Sequence, residues 1–276
     1  ELFEQITQVP EYYPTRTEAA LLDEAGPQVL EQVGSGRAVV EFGSGSSAKT
    51  PRILRAIEPA AYVPIDISHE HLRSTAVELL ALYPDLDVLP VCADFTESFV
   101  LPNCRRTVER RLVYFPGSTI GNFSPAGAFD VLRDIALVCG ERGGLLIGVD
   151  LKKDHKTLEQ AYNDAQGVTG EFNLNLLVRI NRELDADFQI DQFQHHAIYN
   201  ERLSRVEMHL VSKCDQTVTV DHVPVAFRQG ETIHSENCYK YHVTEFAQLA
   251  LTAGLELNQV WTDSEERFSE LYLTVQ

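Results

Sequence analysis

Gly43-Ser44-Gly45-Ser46-Ser47-Ala48 follows the apolar run Ala38–Phe42 and precedes a helical pattern over Pro51–Ile57. Small residues between a strand and a helix let backbone N–H groups come close to a ligand. The spacing fits G-x-G-x-x-[GA], with Gly43 for the turn, Gly45 for close approach and Ala48 for helix packing. Asp66 closes the next apolar run, 18 residues after Ala48. A carboxylate there accepts hydrogen bonds from ribose hydroxyls. The pattern predicts an adenosine-bearing ligand, either NAD or S-adenosylmethionine. Asp94-Phe95, at the end of a third run, favours the second: the acid bonds an adenine amine and the ring covers the base. Glu41, Asp66 and Asp94 also form an acidic rim, which suits a sulfonium cation better than a pyrophosphate. Lys49 opens the following helix, where it either bonds a ligand carboxylate or is solvated.

Other residues could hold a second, smaller ligand. Asn122 follows a turn with Gly117 and Gly121, and its amide either bonds an amine or stabilises the turn. Tyr12 and Tyr162 can donate from phenols to a carboxylate. Tyr13 could do the same or lie in the core, and the residues alone do not choose between Tyr12 and Tyr13. Met208, the single methionine, falls in an alternating strand, where packing is its default role. Glu236 and Cys238 are two apart, so on an extended stretch they share a face. No residue is an obvious general base.

The elements that position these groups form two patterns. Buried runs at Ala38–Phe42, Ala61–Ile65, Val88–Cys92, Leu112–Phe115 and Leu145–Val149 alternate with helical stretches at Pro51–Ile57, Glu70–Leu82 and Ala126–Val138. That alternation predicts a parallel sheet with helices on both faces. Beyond residue 152 come two helices, Thr157–Tyr162 and Glu171–Glu183, then antiparallel strand patterns at Ala197–Tyr199, Arg205–Ser212 and Thr217–Val220. A helix at Phe246–Ala253 and strands at Leu257–Trp261 and Leu271–Val275 resume the first pattern. The expected fold is α/β, a class I methyltransferase Rossmann-like seven-stranded sheet with an inserted α+β substrate-binding domain. Residues 31–151 plus 241–276 form the first domain; 1–30, with two short helical stretches, pack with 152–240 as the second.

Composition narrows the function. The net charge of −18 and the lack of a basic face argue against nucleic acid and anionic membranes. No apolar run spans a bilayer. Five cysteines without a CxxC fit a reducing cytoplasm, not a disulfide framework. The nine histidines include His195-His196 but no HExxH, so no metal site is expected. No coiled-coil or repeat signal is present, and a monomer is expected.

Four stretches carry a family resemblance: LFEQITQVPEYYPTRTEA (2–19), VEFGSGSSAKT (40–50), FPGSTIGNFSP (115–125) and AYNDAQGVTGEFNLNLLVRINREL (161–184). RVEM (205–208) and SENCYKY (235–241) extend it. The chain closely resembles the histidine-specific, S-adenosylmethionine-dependent methyltransferases of ergothioneine biosynthesis, over essentially its whole length. The resemblance implies trimethylation of the α-amine of L-histidine to hercynine. It places the cofactor at Gly43, Lys49, Asp66, Asp94 and Phe95. It places the amino and carboxylate ends of histidine at Gly117, Asn122, Tyr12 and Tyr162, with Asn122 and Tyr12 the catalytic pair. Phe3, Met208, Glu236 and Cys238 would surround the imidazole. Family members carry Ser at the position of Cys238, and a thiol is the weaker donor. They also carry a longer N-terminal segment with a further tyrosine ahead of Phe3, which the sequence from Glu1 does not include. The alternatives are an N-methyltransferase of another aromatic or ring-modified amino acid, a NAD-dependent oxidoreductase, or a binding module without turnover. Glu236 suits a two-nitrogen imidazole better than an indole.

Overall fold

The computed structural model describes residues 2–45 and 49–276. Ser46, Ser47 and Ala48 of the glycine motif, with the packing role expected of Ala48, lie outside the described residues. The chain divides into two compact units. One holds residues 14–151 and 241–276, the other 1–13 and 152–240.

The larger unit is built on one sheet. Its strands are β1 (Ala38–Phe42), β2 (Ala61–Asp66), β3 (Asp87–Val88), β4 (Val91–Cys92), β5 (Arg111–Phe115) and β6 (Gly144–Asp150), closed by β12 (Leu255–Thr262) and β13 (Phe268–Val275). The order is β12-β13-β6-β5-β1-β2-β3, with β4 also on β2. Pairing is parallel from β6 through β5, β1 and β2, and antiparallel where β13 meets β6 and β12. The expected strand Val88–Cys92 is thus two short pieces. Pro90 lies between them and has no N–H for the ladder. Counted as one interrupted strand, the sheet has the seven expected.

The helices of this unit are α2 (Pro14–Val33), α3 (Thr50–Ile57), α4 (His69–Leu82), α5 (Pro125–Cys139) and α8 (Val243–Thr252). Residues 14–30 do not belong with 152–240 as expected. They form the single helix α2, whose Leu22, Ala25, Val29 and Val33 pack with Ile53, Leu54 and Ile57 of α3 and with Trp261 and Tyr272 of the sheet. Trp261 Nε1 donates to Gln28 Oε1 (2.8 Å), fixing the helix further. Gly26-Pro27 suggests a break in the sequence, but burial of one continuous face outweighs it.

The smaller unit holds α1 (Leu2–Ile6), α6 (His155–Gln160), α7 (Val168–Glu183), β7 (Phe193–Asn200), β8 (Arg205–Ser212), β9 (Gln216–Val220), β10 (Val223–Phe227) and β11 (Thr232–Tyr239). β11, β8 and β7 form an antiparallel sheet in that order, and β9 pairs with β10. The sequence reading misses β10 and β11 as strands. β10 contains Pro224 and faces solvent almost throughout, so no apolar alternation marks it. β11 is polar and carries a bulge between His234 and Glu236, which breaks its alternation. Among the described residues no helix is long and apolar enough to cross a membrane.

Candidate active site

The glycine turn in the larger unit is held by the neighbouring strand. Gly43 and Gly45 have φ of +66° and +46°, a region open to glycine without strain. The N–H groups of Gly43 and Ser44 donate to the Ile65 carbonyl, at 2.9 and 3.2 Å. Gly45 N donates to Asp66 Oδ2 (2.9 Å), and Ser68 N to Asp66 Oδ1 (2.8 Å). Asp66 therefore fastens the turn to the end of β2. Each carboxylate oxygen has two lone-pair directions, so acceptor capacity remains for hydroxyls.

Asp94 is exposed, and its Oδ1 accepts from Thr96 Oγ1 (2.6 Å) and Thr96 N (2.8 Å). These bonds hold its carboxyl below the ordinary range. Phe95 stacks on Phe42 at 5.3 Å and meets Phe115 edge-on at 5.4 Å. A Cβ on Gly43 would lie 3.7 Å from the Phe95 ring, so a missing side chain leaves room between ring and turn. Glu41 does not join the acidic rim expected of it. It is buried, and accepts from Tyr62 OH (2.7 Å) and Thr50 Oγ1 (2.8 Å).

Lys49 is not simply solvated. Its ammonium pairs with Glu18, a fully buried acid that the sequence reading did not single out. Glu18 Oε1 also accepts from Gly117 N (2.9 Å) and lies 3.4 Å from the Tyr114 hydroxyl. A Cβ at Gly117 would stand 3.3 Å from Lys49 Nζ, and φ there is +74°. One carboxylate thus joins α2, the start of α3 and the turn after β5. The signal was legible. Glu18, Leu22, Ala25 and Val29 fall on one helical stripe, and an acid on an apolar stripe must be paired. Glu270 is buried beside it, and burial together with the Glu18 charge pushes its carboxyl well up.

The turn carrying Asn122 is tied without it. Thr119 Oγ1 donates to the Pro116 carbonyl (3.0 Å), Gly121 N to the Ser118 carbonyl (2.9 Å), and Asp150 N to Ser118 Oγ (2.9 Å). The Asn122 side chain is exposed and makes no hydrogen bond among the described residues. Its amide is not needed to stabilise the turn.

The smaller unit gathers the other expected residues. Tyr162, Met208 and Cys238 share one core cluster with Tyr13, Ala197 and Val206. Tyr13 is 2% exposed, and its hydroxyl accepts from Lys153 Nζ (2.5 Å). That leaves Tyr12, half-buried, as the accessible phenol of the pair. Its ring meets Tyr162 edge-on at 6.3 Å and Phe3 at 6.5 Å. Phe3 is 54% exposed, at the outer end of this aromatic chain. His195 fixes Tyr162: Asn173 Nδ2 donates to its Nδ1 (2.9 Å), and its Nε2–H donates to the Tyr162 carbonyl (2.7 Å).

Glu236 of β11 stands opposite Met208 of β8, and Cys238 opposite Val206. Burial raises the Glu236 carboxyl, opposed by the Lys240 ammonium. It makes no hydrogen bond or ion pair among the described residues. Lys240, missed by the sequence reading, is buried. It donates to Tyr162 OH (2.9 Å) and to Cys238 Sγ (3.2 Å). With a cation donating to its oxygen, the Tyr162 phenol keeps its O–H as a donor.

Comparison with known proteins shows the family and the fold. The family model described as "Histidine-specific methyltransferase, SAM-dependent" matches residues 1–275. The histidine N-alpha-methyltransferase of Mycolicibacterium smegmatis is 40% identical over 95% of this chain and 83% of its own. Ergothioneine biosynthesis protein 1 of Neurospora crassa is 28% identical over 96% of this chain and 31% of its own. Among solved structures, the CcbJ methyltransferase of Streptomyces caelestis aligns with a TM-score of 0.54 at 13% identity, over 94% of this chain and 96% of that one, a likeness of fold. The chain belongs to the histidine-specific, S-adenosylmethionine-dependent methyltransferases.

Proposed function

We propose that the chain transfers three methyl groups in succession to the α-amine of L-histidine, giving hercynine, the methylation step of ergothioneine biosynthesis. Family membership supports the reaction class. The observation that carries the substrate is Glu236, a half-buried carboxylate that makes no hydrogen bond or ion pair among the described residues, opposite Met208 on β8. Such an acceptor favours a ligand that brings a ring N–H to it.

Bound S-adenosylmethionine supplies an electrophilic methyl group on a positively charged sulfur. The residues of the larger unit fit that donor: a turn with two left-handed glycines, Asp66 at the end of β2, and the Phe95 ring beside Gly43. Asp66 would accept from the ribose hydroxyls, Asp94 from the adenine amine, and Phe95 would cover the base. Lys49, held by Glu18, would present a cation to the donor's carboxylate. Asn122 would accept from an amine N–H and so aim the lone pair, while Gly117 leaves space beside it. Tyr12 and Tyr162 would donate to the histidine carboxylate, and the half-exposed Tyr12 would pass the amine proton to water. Met208, Cys238 and Phe3 would pack around the imidazole. Placement of this kind contributes up to about 7–11 kcal/mol in favourable cases. The same reading has the chain working as a monomer in the cytoplasm, in keeping with five unpaired cysteines.

Titration calorimetry tests the substrate. With S-adenosylhomocysteine present, histidine should bind saturably at one site and tryptophan much more weakly. Equal affinities would remove the imidazole from the reading.

A further inference from the structure

The sheet carrying Glu236 and Cys238 has a second face. Along β8, Val206, Met208 and Leu210 are buried in apolar clusters, so Glu207 and His209 turn the other way. His209 pairs in register with His234 of β11 and with His196 of β7. Directly opposed residues of antiparallel strands share a face, so three imidazoles form one row across the sheet beside Glu207.

We propose that Glu207, His209 and His234 form a binding site for one divalent transition-metal ion of the zinc class. One ligand atom from each lies within 4.8 Å of the others. The His209 and His234 rings stack at 4.7 Å with 27° between their planes. One carboxylate with two imidazoles suits zinc, cobalt or nickel better than calcium or magnesium, which take oxygen alone.

The surroundings orient Glu207 and His234 for a metal. Glu207 Oε1 accepts from Asn200 Nδ2 (3.0 Å) and from Arg205 Nε and NH2 (2.8 and 2.7 Å). Its other oxygen, Oε2, is turned to His209 Nε2 at 3.2 Å. His234 Nε2 lies 3.2 Å from the Glu236 carbonyl, and donating there leaves its lone pair on Nδ1. An imidazole whose second nitrogen donates to a backbone carbonyl is the usual ligating arrangement. His209 Nδ1 is buried with no hydrogen-bond partner among the described residues, a cost that remains until the cluster gains another atom. Water completes a tetrahedral shell. The ion joins β8 to β11 beside the bulge at His234 and Glu236, on the reverse of the face that holds Met208, Glu236 and Cys238. Motif reading could not find this site, because its ligands come from two strands 25 residues apart at His209 and His234 and no HExxH spacing exists.

The test uses the full chain, stripped with a chelator and titrated with zinc against a chromophoric competitor, then with cobalt in an absorption spectrometer. The wild type should show one saturable zinc site and a rise in Tm on adding zinc. His234→Ala removes a ligand from an exposed position, so the chain should fold with an unchanged circular dichroism spectrum. Its zinc affinity should fall by more than the ~10–100-fold that loss of an outer-shell partner costs, and the Tm rise should vanish. Arg205→Gln, which removes an orienting partner of Glu207 and no ligand, should weaken zinc by less than His234→Ala. Equal zinc uptake by wild type and His234→Ala would overturn the proposal. So would a cobalt spectrum dominated by thiolate charge transfer, which would put the ion on a cysteine.

Discussion

Glu18 shows how much one buried acid can organise. It takes the Lys49 ammonium and the Gly117 N–H at once. Removing one partner of a buried pair leaves the other uncompensated, so Glu18→Ala should cost on the order of 3 kcal/mol in urea unfolding. Glu18→Gln keeps an acceptor for Gly117 and should cost less; if the two variants unfold alike, the ion pair is not what matters there. Asp66 is the second such residue. Asp66→Ala should weaken S-adenosylhomocysteine binding by roughly 1.5–3 kcal/mol, the scale of hydrogen bonds to a charged group. Unchanged affinity in calorimetry would exclude it from the donor site. In the smaller unit, Glu236→Ala should raise KM for histidine and narrow its advantage over tryptophan. Cys238→Ser should keep or improve histidine affinity, since a hydroxyl both accepts from Lys240 and donates more strongly than a thiol. A weaker Cys238→Ser enzyme would mean that the thiol is suited to a ring-modified histidine.

At the scale of elements, β1 holds a buried acid, Glu41, against Tyr62 of β2. Burial pushes the Glu41 carboxyl from 4.5 up to about 7, against hydrogen bonds from Tyr62 and Thr50 that lower it. The folded chain then binds more protons than the unfolded one between those two values. The group's contribution is full below about 4.5 and is lost as pH rises to about 7. Glu41→Gln should flatten this slope and be the more stable protein above that range, by on the order of 2 kcal/mol. A variant with the same pH dependence as wild type would place the titration elsewhere. Most of the sheet elements were legible because their side chains are buried on both faces: Leu145–Val149 reads as an unbroken apolar run, and Ala38–Phe42 as one interrupted by Glu41 alone. β11 was not legible, because its bulge breaks the alternation and most of its residues are polar. α2 was misplaced because Gly26-Pro27 obscures a continuous buried stripe.

At the scale of the molecule, the motifs named the chemistry before any fold was drawn, but only partly placed it. Gly43, Asp66 and Asp94 lie at the ends of strands of one sheet, as an α/β fold demands. Tyr162, Met208 and Cys238 meet in one cluster although 76 residues separate the first from the last. No local pattern encodes that meeting, and family resemblance supplied it. Lys240, which orients Tyr162, escaped notice because a buried charge looks like a surface one until a partner is seen; Glu18, which orients Lys49, could have been read from its place on an apolar stripe. One reaction underlies all of these residue roles, and mass spectrometry of histidine incubated with the enzyme and S-adenosylmethionine tests it most directly. The prediction is a product heavier by three methyl groups, all on the α-nitrogen, with three S-adenosylhomocysteines formed per histidine. Methylation on the imidazole ring, or methylation of tryptophan in preference to histidine, would contradict it.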